Sequence, residues 1–292
     1  MGGNFLQALI LASDDGWHIK EIKRALKKQK ISSLRVPYSE LGAGVASSFD
    51  LKNREEMLDD IDYIFVRIIP GGSLEQIILR MDILNRMAAL GKRIINRPSV
   101  IEKTVDKYYT QFLLADSGIP TPETFVTEDF EQAMEFYHKW DDIILKPIFG
   151  SLGKGIVRIN DEDTAYRVFR AWHQNNFVFY IQKYIEHGSS DIRVFVCNGE
   201  VISASERCGN SWKTNVARGA ESRKIIIPDH LKQMALKAAE VLELDYTGID
   251  IILKDGNINE PYLIEVNSIP GWYGLQKVTD FNIADKLIEM MI

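Results

Sequence analysis

Two apolar runs near the end of the chain, Gly248-Ile249-Asp250-Ile251-Ile252 and Leu263-Ile264-Glu265-Val266-Asn267, each carry an acidic residue. A carboxylate is costly to bury alone, so any fold that puts these runs in a core must also bring a cation to them. Lys254-Asp255-Gly256-Asn257 has hairpin-turn chemistry, which sets the two strands side by side. Glu265 and Asn267 are two apart and share one face of their strand. With Asp250 across the hairpin they offer hard oxygen donors, suited to Mg²⁺ bridging phosphates. The residues alone leave a second solution open, buried salt bridges to Lys or Arg.

The first hundred residues alternate strands with helical patterns. Strands are expected at 5–12, 32–37, 61–67 and 92–96, with helices at about 17–30 and 73–90. This alternation predicts a parallel α/β sheet. Arg97-Pro98 marks a boundary, because a residue before proline is pushed out of the helical region. Beyond it a helix is expected over 99–118, a strand at 123–126, a helix at 130–139 and a strand from Ile143 into a glycine-rich loop. A strong helix at 229–242 and strands at 248–254 and 261–267 close the chain. At roughly 150 residues per domain, 292 residues suggest two domains.

Charge and composition exclude several classes. Lys+Arg is 35 against Asp+Glu 41, a net charge of −6, the reverse of a duplex nucleic-acid binder. The longest apolar runs fall far short of the ~20 residues that cross a bilayer. Ser13, Asp14 and Asp15 interrupt the first of them, so no signal-peptide core is expected. Two cysteines, Cys197 and Cys208, make no disulfide framework, and five scattered histidines argue against zinc. A reduced, cytoplasmic protein with no nucleic-acid or membrane partner is the expectation. Lys20, Lys23, Arg24, Lys27, Lys28, Lys30 and Arg35 form a basic cluster, read first as a solvated helix face and second as a site for an acidic partner.

Lys146-Pro147-Ile148-Phe149-Gly150-Ser151-Leu152-Gly153-Lys154-Gly155 is the loop best suited to phosphate. Its glycines let backbone N–H groups approach an anion and its lysines add charge. It is not a Walker loop, which would need glycine at Ile148 and a hydroxyl residue at Gly155. Gly42-Ala43-Gly44 lacks the third glycine of a dinucleotide fingerprint, having Ser47 there, and reads as an ordinary turn. Arg193, Arg207 and Arg218 could converge on an anionic substrate or a transferring phosphoryl group, although each alone suits a surface ion pair.

In this order the pieces resemble the ATP-grasp superfamily, specifically its RimK-like carboxylate–amine ligases. The carriers are Asn96-Arg97-Pro98, Asp106-Lys107, Lys146-Pro147 with Gly150-Ser151-Leu152-Gly153, Gln182-Lys183-Tyr184-Ile185, Asp191-Ile192-Arg193, Thr214 through Gly219, Gly248-Ile249-Asp250 and Glu265 through Gly271. The resemblance implies a Rossmann-like α/β domain over 1–97, then an ATP-grasp domain over 98–292 with lobes at about 98–184 and 185–292. It implies that Lys107 and Lys146 hold the α- and β-phosphates and that Gly150, Ser151 and Gly153 belong to a loop covering them. Gln182, Lys183, Tyr184 and Ile185 would contact adenine, and Asp191 the ribose. Arg193 and Arg207 would handle substrate. Asn215 and Arg218 would lie near the γ-phosphate, and Asp250, Glu265 and Asn267 would bind metal.

Also implied are ATP and two Mg²⁺ ions, with Mn²⁺ able to substitute, and a homo-oligomer, dimer or tetramer. The reaction implied is attack of a carboxylate on the γ-phosphate, then displacement of phosphate from the acyl phosphate by an amine. Two departures, Arg207-Cys208 in place of paired arginines and Arg218-Gly219-Ala220 in place of Arg-Gly-Gly, bear on the substrate. The segment Asn267 through Gln276 is closer to ligases that add L-glutamate to proteins or pterin cofactors than to those of lysine synthesis. A tetrahydromethanopterin-type acceptor is the first expectation. A protein C-terminus and a non-catalytic nucleotide-binding protein are the alternatives. Trp272 and Tyr273 read either as a platform for a flat acceptor or as core.

Overall fold

The computed structural model describes residues 7–46, 49–150, 153–213 and 221–292. A parallel sheet opens the fold, in the spatial order Ser32–Val36, Gln7–Leu11, Tyr63–Val66, Arg93–Ile95. Ala8, Leu9, Ile10 and Leu11 are all buried because helices cover both faces. Helix Trp17–Lys28 packs Ile19, Ile22, Ala25 and Leu26 on one face. Helix Leu74–Ala89, begun by a Ser73/Gln76 capping box, packs Ile83, Leu84 and Met87 on the other. Part of the basic cluster is a surface tether: Arg24 and Lys28 grip Asp285 of the C-terminal helix Ile283–Met291 at 2.7 and 2.9 Å. Gly42–Ala43, expected as a plain turn, pairs instead with Leu51–Lys52 as a small ribbon.

The helix expected over 99–118 is two helices, Pro98–Val105 and Lys107–Asp116. Asp106 breaks it, since its side chain accepts from Tyr109 N–H at 3.0 Å and caps the second helix. Two antiparallel sheets follow. The first runs Thr124–Thr127, Phe179–Lys183, Ile143–Lys146, Val157–Ile159, under helices Phe130–Trp140 and Glu162–Gln174. The second runs Glu221–Lys224, Glu200–Cys208, Ser190–Cys197, Tyr246–Leu253, Pro261–Asn267, under helix Asp229–Val241. The connection between its last two strands spans 254–260, longer than the four-residue turn expected.

Packing crosses the Arg97-Pro98 boundary. Ala8, Ile10 and Phe65 of the parallel sheet share one core with Phe195, Tyr246, Trp272 and Leu287. Val100, Leu114 and Ile119 pack beneath the five-stranded sheet, while Ile101 of the same segment packs in the core of the parallel sheet. Trp272 is 1% exposed and belongs to this core, which removes it as a platform, whereas Tyr273 is 45% exposed.

Candidate active site

Three neighbouring strands put Arg193, Asp250 and Glu265 on one rung: Arg193 is in register with Asp250, and Asp250 with Glu265. Alternation places Asp191 and Asn267, each two residues along, on the same face. Arg193 Nε lies 2.5 Å from Asp250 Oδ1, and its Nη2 donates to Oδ2 at 3.0 Å. Arg207 donates from Nε and Nη2 to the two oxygens of Asp191 at 2.6 and 2.5 Å, and its Nη2 lies 3.0 Å from Asp250 Oδ2. Arg207 and Asp191 are nearly inaccessible, at 6% and 3%. Burial of two carboxylates is thus offset by two guanidinium groups, the buried salt bridges left open by the sequence. Asp191, expected at the ribose, is enclosed by Arg207 instead. Asp250, expected on a metal, has its oxygens turned to Arg193 and Arg207.

Gly248, two residues before Asp250, makes this packing possible. A Cβ there would fall 2.4 Å from Arg193 Nη1 and 3.0 Å from Pro270 Cβ. Only a residue without a side chain lets Arg193 lie between the strand and the Pro270 loop.

Facing the rung are two lysines, one from the smaller sheet and one from a helix start. Lys146 ends the Ile143–Lys146 strand and donates to Gln182 Oε1 at 2.7 Å. Gln182, buried, donates in turn to Thr124 Oγ1 at 3.0 Å, so its side chain orients Lys146. Desolvation, only partly opposed by Glu265, pushes Lys146 down to about 8. Lys107, at the start of its helix, donates to the carbonyls of Ile148 and Gly150 at 2.9 and 3.0 Å and fastens the glycine-rich loop. Burial lowers it too. The far end of the loop folds onto Pro147: Gly155 has φ +75°, and a Cβ there would lie 3.3 Å from the proline ring.

Glu265 is the uncompensated member. Burial and then the Asp250 charge raise its carboxyl above the usual range, while Arg193, Lys107 and Lys146 pull it back. Among the described residues no cation pairs with it directly. Asn267 shares its face, with Nδ2 3.4 Å from the Gly248 carbonyl. An unneutralised carboxylate beside an amide oxygen fits a hard divalent cation that takes its remaining ligands from phosphates and water. Among the described residues no cluster of three His, Cys, Asp or Glu could hold a metal unaided.

Other expected residues fall around the cleft. Lys183 pairs with Glu123 at 2.8 Å on the rim, Tyr184 lies under the Arg158 guanidinium at 3.5 Å, and Ile185 is half-buried beside it. Gly153 lies in the turn at the far end of the loop. Ser151, Asn215 and Arg218 lie outside the described residues. Lys213, just before that gap, reaches the Ile156 carbonyl at 2.6 Å and links the two lobes. No sequence pattern singles out Arg67, which follows the Tyr63–Val66 strand and donates to Tyr246 O–H and the Pro270 carbonyl, both at 2.8 Å. No nucleophile–histidine pair lies on the rung; its groups can neutralise and position charge.

Residues 104–291 match the RimK-like ATP-grasp domain. The chain is 34% identical over 281 residues to the tetrahydromethanopterin:alpha-L-glutamate ligase of Methanocaldococcus jannaschii, covering 94% of each protein. It is 31% identical over 288 residues to the enzyme of the same name from Methanococcus maripaludis, covering 96% of each. Among solved structures, the ATP-grasp ligase PsnB complexed with minimal precursor superposes with a TM-score of 0.77 at 20% identity, over 99% of this chain and 98% of that one.

Proposed function

The chain belongs to the RimK-like ATP-grasp family of ATP-dependent carboxylate–amine ligases, and we propose that it joins L-glutamate to a carboxylate of a tetrahydromethanopterin-type cofactor. The observation that carries the chemistry is the facing of Lys146 and Lys107 with the Arg193–Asp250–Glu265 rung. Such a site holds phosphates and steadies developing charge without supplying a nucleophile. The acceptor carboxylate attacks the γ-phosphate, ADP leaves, and the amine of L-glutamate displaces phosphate from the acyl phosphate. Lys107 and Lys146 bind phosphate oxygens, and Gln182 fixes the Lys146 rotamer. Glu265 and Asn267 would hold Mg²⁺, whose charge would offset that of the phosphates, and Asp250 would join them only if an arginine released it. Arg193 orients the reacting carboxylate, Arg207, closed in by Asp191 and Asp250, positions Asp250 behind it, and Asn215 and Arg218 keep the γ-phosphate role that the resemblance implies. The acceptor class is supported by the two relatives, whose similarity extends over 94% and 96% of this chain.

The test is ADP release with Mg²⁺, ATP, L-glutamate and tetrahydromethanopterin, with mass spectrometry of the pterin. A gain of one glutamyl residue is the expected result. ADP release only with a protein fraction as acceptor would reassign the enzyme to protein glutamylation, and none with either would leave nucleotide binding alone.

A further inference from the structure

A cavity of about 150 Å³ opens at the carboxyl ends of the Gln7–Leu11 and Tyr63–Val66 strands. It lies where the strand order of the parallel sheet reverses, the place where open α/β sheets receive ligands. Ser13 and Asp14 line it from the loop after the first strand, His18 from the first turn of helix Trp17–Lys28, and Arg67 from the end of the second strand. The helix has no side-chain cap and no acidic residue in its first turn, and its positive end, partly offset by the Asp14 carboxylate beside it, lies on the same cavity as Arg67. Asp14 turns its Oδ1 to the Gly16 N–H at 2.9 Å.

Arg67 is held in place but not neutralised. Its two Nη atoms are spent on Tyr246 O–H and the Pro270 carbonyl, and its guanidinium lies 4.8 Å over the Trp272 ring. Its Nε is buried and without a partner among the described residues, where no carboxylate pairs with it either. His18 Nε2 accepts from Trp272 N–H at 2.9 Å, which leaves the proton of the neutral ring on Nδ1, a second donor. Burial and the Arg67 charge push His18 down to about 4, keeping it in that form.

The cavity adjoins the catalytic rung. Pro270 lies three residues past Asn267, at most about 10 Å of extended chain. The same proline packs against Gly248, beside Arg193.

We propose that this cavity binds a carboxylate of one of the two ligation substrates, remote from the carboxylate that is phosphorylated, with Arg67 as the cation that receives it. The proposal rests on the ligase reading above. The volume admits a group the size of an amino-acid side chain and excludes a nucleotide.

The decisive measurement follows the Arg67 Nε–H resonance in the isotope-labelled full chain, assigned by its loss in Arg67→Lys. L-Glutamate and tetrahydromethanopterin are titrated separately, each with Mg²⁺ and ADP present. A shift with the pterin assigns the cavity to the acceptor, a shift with glutamate assigns it to the amino acid, and no shift with either overturns the proposal. Ser13→Glu supplies an independent check, because it sets a competing carboxylate at the mouth without touching the bonds of Arg67. It should raise KM for the bound substrate about tenfold, the loss of one charge-assisted hydrogen bond, and leave the Kd for ADP unchanged. Unaltered KM values for both substrates overturn the assignment. Wild-type ADP release is scored separately: its absence defeats the ligase reading, whereas turnover with a static Arg67 signal defeats the cavity assignment alone.

Discussion

Arg193 and Asp250 meet across two register-paired strands, with Nε 2.5 Å from Oδ1, and the same rung continues to Glu265 on the next strand. One carboxylate is thereby neutralised and its neighbour is left without a direct partner. The protein's own cations settle the structural half of the rung, and its open half faces Lys146 and Lys107.

Removing one partner of the neutralised half should be costly. Arg207→Met leaves Asp191 without its bidentate partner and Asp250 short of one contact, in a region nearly closed to solvent. A loss of about 3–5 kcal/mol in urea unfolding is expected, against under about 1 kcal/mol for the exposed Arg86–Asp50 pair. Equal losses from the two changes would show that the buried network carries no special weight.

Asn96 gives a second test of the fold. Its amide donates to the Tyr246 and Ser268 carbonyls at 2.8 and 2.7 Å and accepts from the Asp245 and Tyr246 N–H groups at 2.6 and 3.2 Å. It ties the parallel sheet to the segment that carries Asn267. Asn96→Ala strands buried backbone groups and should cost about 3 kcal/mol or more. Asn96→Asp turns a carboxylate oxygen toward both carbonyls and buries a charge with no cation beside it, so it should cost at least as much as the alanine change.

Much of this fold is legible in the sequence and much of the site is not, for one reason. Local signals decide local structure: the apolar run of Ala8–Leu11 gives a buried strand, and Pro261–Asn267 is a strand with the bounds its pattern predicts. Asp106 interrupts a helix whose apolar pattern runs on, since a cap formed three residues later is a weaker cue than periodicity. The charges of the site pair across 57 residues for Arg193 and Asp250 and 16 for Arg207 and Asp191. Sequence shows that Asp250 needs a cation, and only strand register shows which one. Trp272 was ambiguous for the same reason, because His18, Phe195 and Arg67 enclose it from three distant segments.

Lys146 predicts a pH dependence of nucleotide binding. Burial holds its pKa down to about 8, so the free protein carries the charge below that pH and loses it above. Affinity for ADP, measured by calorimetry, should fall about tenfold from pH 7 to pH 9 as this cation is lost. Lys146→Arg should flatten the profile, because guanidinium stays charged throughout. An unchanged slope in that variant would place the titrating group elsewhere.

Gly248→Ala probes the close approach of strand and arginine. The added methyl would force Arg193 away from Asp250 or press on Pro270. Turnover should fall at least about tenfold, since a small misplacement of positioning groups is expensive, while ADP binding stays near wild type. A loss confined to ADP affinity would instead mean that Gly248 serves the nucleotide.

Glu265→Gln separates stability from function. The raised pKa means that the folded state disfavours the ionised form, so Glu265 costs stability increasingly as pH rises above its ordinary value of 4.5. The isosteric amide removes that cost. Without ligands, the variant should therefore melt higher than wild type at pH 8, and the two should converge near pH 4, where wild-type Glu265 is protonated as well. Turnover should vanish, and Mg²⁺ should no longer strengthen ADP binding, because the carboxylate that suits the ion is gone. A variant that melts lower at pH 8 would mean that Glu265 is compensated in the free protein by Lys107, Lys146 and Arg193. The open half of the rung would then be a salt-bridge network and not a metal site kept at the expense of stability.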